Sequence, residues 1–126
     1  MRVILADHHP QALWALKTML QEDPDFDLIG EAVDTKQLLN LAEKHSVDLI
    51  LVDSGLPGNL IGDLIATLHA LKPKPIVIVM SSKSEDSRMA LMAGADAFVS
   101  KGDQPEWLLN TLRKYANQVK TNERIE

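Results

Sequence analysis

The stretch Ile50-Leu51-Val52-Asp53-Ser54-Gly55-Leu56-Pro57-Gly58 decides the fold. Its apolar opening suits a strand buried on both faces. It then delivers a carboxylate, Asp53, where the strand must stop, because Gly55, Pro57 and Gly58 permit only a turn. In an open parallel sheet, ligands bind outside the carboxyl ends of the strands. Asp53 is therefore a candidate site residue. An isolated acid there could equally cap the next helix, so the rest of the chain has to choose.

Working outward, four further apolar runs end in polar residues. Val3-Ile4-Leu5-Ala6 stops at Asp7 and His8-His9-Pro10. Phe26 to Ala32 reads as a second strand, Val47 to Val52 as the third and Pro75 to Met80 as the fourth, ending at Ser81-Ser82. Asp96 to Ser100 is the fifth and ends at Lys101-Gly102. Between them the apolar spacing is helical. Pro10 suits a helix start, and Ala12, Leu16, Met19 and Leu20 follow it to about Glu22. Asp34 or Thr35 caps a second helix. Ile61 to Leu71 marks a third, Ser84 to Ala93 a fourth with Gly94 as its stop, and Gln104-Pro105-Glu106 opens the last. Residues 1–119 form one domain, and the polar residues 120–126 are a tail or the start of a linker.

Alternating strands and helices imply parallel βαβ units in a three-layer α/β sandwich. The flavodoxin-like (βα)5 order 2-1-3-4-5 is expected. It brings Asp7-His8, Asp53, Ser81 and Lys101 to one edge.

Composition narrows the function. The chain has 126 residues, 45% hydrophobic content and a formal net charge of -5, which suits one acidic domain with no direct nucleic-acid contact. It has no cysteine, hence neither disulfides nor thiolate metal sites. It carries no apolar run long enough for a signal peptide or membrane span, so a cytoplasmic location is expected.

With these motifs in order, the chain resembles the receiver domain of two-component response regulators, especially the subclass with a C-terminal helix-turn-helix output domain. Pro24-Asp25-Phe26, Gly30-Glu31-Ala32 and Gly94-Ala95-Asp96 carry the likeness to that subclass. The resemblance implies that Asp53 is the phosphorylated aspartate and that Pro57-Gly58 is the turn after it. It implies that Ser81 and Lys101 contact the phosphoryl group, and that Ser81 and Phe98 form the switch. It also implies a divalent metal, magnesium or manganese, on Asp7, Asp53 and the carbonyl of Gly55. The partner implied is a sensor histidine kinase, and the domain is not an enzyme beyond its own phosphorylation and dephosphorylation.

The chemistry of these residue types agrees. A carboxylate can attack a phosphoryl group to form an acyl phosphate. A fixed ammonium and a hydroxyl donor stabilise its equatorial oxygens. Singly, Lys101 reads as a surface cation and Ser81 as a turn residue; together with two acids they read as a site.

His8 departs from the family, which has a second acid there. Imidazole is a poor ligand for magnesium, so the metal should be held weakly. Phosphorylation is then either retained but impaired, the favoured reading, or lost, leaving an interaction or dimerisation module. A flavin-binding protein is disfavoured, since Asp7-His8-His9-Pro10 offers no phosphate-cradling loop. Leu13 and Trp14 lie off the expected face of the first helix, and Trp107 precedes the core pair of the last. Met89 and Met92 flank Ala90-Leu91, read as buried. All five are candidates for an interface, with a homodimer as one outcome.

Overall fold

A computed structural model describes residues 1–101 and 105–125, with side chains throughout except at 105–107 and 119–125. Gly102 and Gln104, and the side chain of Trp107, lie outside the described residues. The order of elements is β1 (Arg2–Ala6), α1 (Pro10–Gln21), β2 (Asp27–Ala32), α2 (Thr35–Lys44), β3 (Leu49–Asp53), α3 (Ile61–His69), β4 (Ile76–Ser81), α4 (Asp86–Met92), β5 (Ala97–Ser100) and α5 (Pro105–Ile125). All strand pairings are parallel, in the order β2-β1-β3-β4-β5. This is the flavodoxin-like (βα)5 sandwich.

β3 is the central strand, and every residue of it is buried. Its apolar run follows from having helices on both faces. The two-residue alternation divides the core accordingly. Leu49 and Leu51 join Val3, Leu5, Ile78, Met80 and Val99 beneath α1 and α5. Ile50 and Val52 join Ile4, Ala6, Val77 and Val79 beneath α2, α3 and α4. A one-residue slip would exchange these sets and expose Asp53 differently, so core packing itself fixes where the carboxylate emerges.

Helix ends explain the local boundaries. Asp34 caps α2, its side chain accepting a hydrogen bond from the Gln37 amide at 2.8 Å. The Gln37 side chain reaches back to accept from Val33 at 3.0 Å. α4 ends at Ala93 because Gly94 takes φ +107°, a value that favours glycine.

Two sequence expectations change, and the end of one helix is located. Leu13 lies on the packed side of α1, half-buried against the layer beneath α1 and α5. The face that points inward is therefore defined by Leu13, Leu16 and Leu20, spaced three and seven apart. Leu91 is 50% exposed rather than buried; Ala90 alone anchors α4. α5 runs through Ile125, so most of the segment 120–126 continues a helix.

Candidate functional site

The chain leaves β1 for β2 on one side and for β3 to β5 on the other. The carboxyl ends of β1 and β3 therefore diverge into a crevice. Asp7 follows β1, Asp53 ends β3, Ser81 ends β4 and Lys101 follows β5. All but Asp7 line one open cleft of about 560 Å³, which His8, His9, Gly55 and Asp86 also line.

Lys101 organises the charges. Its Nζ lies 2.5 Å from Asp7 Oδ2 and 2.8 Å from Asp53 Oδ1. Asp7 is fully buried and Asp53 nearly so. Burial pushes the Asp7 carboxyl up, but hydrogen bonds from Lys101 and from the His9 backbone and side chain outweigh it and hold Asp7 below the usual range. Burial opposes the Lys101 charge, yet Asp53 and Asp7 together hold its ammonium above the ordinary lysine value.

The remaining carboxylate oxygens face histidines and backbone. Asp7 Oδ1 accepts the His9 amide at 2.9 Å and lies 2.9 Å from His9 Nδ1. Asp53 Oδ2 accepts the Gly55 amide at 3.1 Å and lies 3.6 Å from His8 Nδ1. Ligand atoms of Asp7, His8, His9 and Asp53 fall within 4.8 Å of one another. Sequence reasoning named three of these residues and missed His9, which reads locally as part of the break before Pro10.

The loop after Asp53 is pinned in place. Thr35, buried, donates its amide to the Pro57 carbonyl at 2.9 Å, and its hydroxyl accepts the Asn59 amide at 3.1 Å. Gly58, at φ +121°, passes so near the Thr35 hydroxyl that a Cβ would collide with it. The Pro57-Gly58 pair is thus what lets α2 hold the acceptor loop.

Ser81 is buried, but its hydroxyl does not point at the carboxylates. It donates to Asp86 Oδ2 at 2.6 Å and accepts the Lys83 amide at 3.0 Å. Asp86, five residues on in the first turn of α4, was not legible in the sequence, because apolar spacing does not say that its carboxylate turns back onto Ser81. Phe98 is half-buried, pairs with Val79 across β4 and β5, and packs in the layer of α2 to α4. Ser81 follows Val79 by two residues and so shares that face. Away from the cleft, Trp14 is 69% exposed, Met89 46% and Met92 78%. Leu60, 77% exposed, is a further exposed apolar residue that the sequence did not single out.

The family description "Response regulator receiver domain" matches residues 3–113. The chain belongs to that family. Its receiver domain is 34% identical over 119 residues to the nitrate/nitrite response regulator NarL of Escherichia coli K12, covering 90% of this chain and 54% of NarL. It is 31% identical over 130 residues to NarP of the same organism, covering 98% of this chain and 59% of NarP. The chain spans about half the length of these curated relatives. The signal receiver domain of a NarL from Mycobacterium tuberculosis superposes with a TM-score of 0.82 at 24% identity, covering 92% of this chain and 95% of that one. RcsB of Salmonella enterica serovar Typhimurium gives 0.82 at 24%, covering 93% of this receiver and 60% of RcsB. These two likenesses speak to the fold. The family role is that of a phosphoacceptor switch in two-component signalling, which does not favour a phosphorylation-independent module. Among the described residues, no helix is long and apolar enough to cross a membrane.

Proposed function

We propose that Asp53 accepts a phosphoryl group from the phosphohistidine of a sensor kinase. A carboxylate oxygen attacks phosphorus, the bond to the imidazole nitrogen breaks, and an acyl phosphate forms. The observation that supports this most is Asp53 at the end of the central strand with the Lys101 ammonium at 2.8 Å. Lys101 then follows the developing charge on the phosphoryl oxygens, and Ser81 donates to one of them. Asp7 and Asp53 carboxylates and the Gly55 carbonyl suit a divalent cation, magnesium or manganese, weakened by His8. Such an ion, held there, would neutralise equatorial charge on the transferred group. Incubation with acetyl phosphate should add one phosphoryl mass to the intact protein; no addition under any metal condition argues against the reading.

The switch follows from Ser81. To reach a phosphoryl group, its hydroxyl must leave Asp86, and the space it vacates is open to Phe98 on the same face. A phenyl ring carries no hydroxyl whose burial would need a partner. The two packings form a two-state equilibrium that phosphate biases. Phe98→Ala should still be phosphorylated, with a stability loss below the ~3–5 kcal/mol of a fully buried ring. Phosphorylation should no longer change its self-association or partner binding. Unchanged coupling would make Phe98 a plain core residue.

In this reading the receiver is a cytoplasmic signalling domain rather than an enzyme. Residues 1–119 are the domain, and the end of α5 leads towards an output domain outside the chain. RcsB, of which this chain covers 60%, was solved bound to promoter rprA. The net charge of -5 leaves DNA contact to that output. Exposed Trp14 is the anchor expected at a homodimer or partner contact. Met89 and Met92 offer a second such surface, whereas Leu13 serves mainly α1 packing. Sedimentation across a concentration range should show association weakened roughly tenfold or more by Trp14→Glu, the loss of about 1.4 kcal/mol or more. Identical behaviour of both proteins would remove Trp14 from the interface.

A further inference from the structure

We propose that His8 and His9 convert this cation site from an oxygen site into a mixed imidazole–carboxylate site. Such a site selects a borderline divalent cation of the zinc or cobalt class over magnesium. The inference rests on the proposed function only for the site's location.

The four ligand atoms come from two carboxylates and two imidazoles and lie within 4.8 Å of one another. Lys101 occupies Asp7 Oδ2 and Asp53 Oδ1. The opposite oxygens are the ones that face the rings: Asp7 Oδ1 lies 2.9 Å from His9 Nδ1, and Asp53 Oδ2 lies 3.6 Å from His8 Nδ1. The lysine and a cation would therefore use different oxygens of the same two acids. Zinc bonds of about 2.0–2.1 Å in a tetrahedral shell space neighbouring ligand atoms about 3.3 Å apart. Two of the six pairs bracket that spacing, and the whole set lies within 4.8 Å, so the exposed rings must close in to complete the shell.

The rings are side by side, with centroids 3.9 Å apart and planes at 41°. Their side chains are 35% and 58% exposed, which leaves an entry path from the cleft. Lys101 holds the far oxygens, and the Gly55 and His9 amides donate to the near ones, Asp53 Oδ2 and Asp7 Oδ1, so the carboxylates are fixed and the reorganisation falls on the two exposed rings. Magnesium wants near-octahedral oxygen ligands, whereas imidazole suits zinc, cobalt and nickel. The donor set thus fits the second group better.

The test is calorimetric titration of wild type, His8→Asp and His9→Gln with zinc, cobalt, manganese and magnesium chlorides, without phosphodonor. Visible absorption of the cobalt complex serves as a second readout of nitrogen ligation. Wild type should prefer zinc over magnesium by roughly 100-fold or more, and His8→Asp should cut that ratio at least tenfold while tightening magnesium. His9→Gln should weaken zinc and leave magnesium nearly unchanged. Equal zinc-to-magnesium ratios in all three proteins would overturn the inference, since zinc held elsewhere, at His45 or His69, would not respond to these changes. Phosphoryl uptake is measured separately by intact mass in excess magnesium. Uptake with a His8-independent ratio overturns the metal inference alone. A His8-dependent ratio without uptake overturns the proposed function alone.

Discussion

Lys101→Met is expected to cost about 3–5 kcal/mol at neutral pH, the penalty for stripping a buried charge of its partner. It should also make stability rise as pH falls from neutral to mildly acidic, a window in which the wild-type Asp7–Lys101 pair contributes no slope. Lys101 is the cation shared by Asp7 and Asp53, both almost wholly out of water. Methionine keeps the stem and removes the charge. In the wild type the Asp7 carboxyl is held low, so its contribution is present above the unfolded carboxylate range and is lost as pH falls through the native value. The raised Lys101 contributes below the unfolded lysine range, and that share is lost as pH rises through its native value.

In the variant, burial of Asp7 is no longer opposed by the ammonium, and the neighbouring acid adds like charge. Both push its carboxyl up. Stability then improves as pH falls from neutral towards mildly acidic, where the wild type gains nothing. Urea unfolding at pH 5 and pH 7.5 reads both effects. A loss under about 1 kcal/mol, or no gain in the variant's stability between pH 7.5 and pH 5, would show that Lys101 is not what holds the two acids in place. Phosphoryl uptake should also fall by about 10²–10³-fold, the usual cost of one lost transition-state donor.

The fold was legible because parallel strands covered on both faces must be apolar along their whole length. Leu49 to Val52 and Val77 to Met80 satisfy that, and their short length, β-branched content and flanking turn residues mark them as strands. The site was legible because those strands end abruptly in Asp53 and Ser81, at the edge where the topology gathers strand ends. What escaped depended on which way individual side chains turn. Asp86, five residues beyond Ser81, turns its carboxylate back to accept from the Ser81 hydroxyl. His9 folds back onto Asp7 through a backbone and a side-chain bond, which a turn-like His-Pro dipeptide does not announce. Leu13 was placed outside because Ala12, Leu16 and Met19 also make a helical face, and only the sheet decides between two adjacent stripes. The helical residues beyond 119 lack an apolar periodicity, so their sequence gave no sign that α5 continues.

Asp53→Asn provides the most direct measurement of the central claim. Asparagine keeps the shape of the side chain and its hydrogen bond from Gly55, but a neutral amide is not a nucleophile for phosphorus. It also leaves Lys101 paired with Asp7, so the variant is expected to fold. Both proteins are incubated with acetyl phosphate and excess divalent cation, and intact mass is followed over time. Wild type should gain one phosphoryl mass and Asp53→Asn none, at every metal and every time point. Equal labelling of the two proteins would place the phosphoryl group elsewhere and contradict Asp53 as the acceptor.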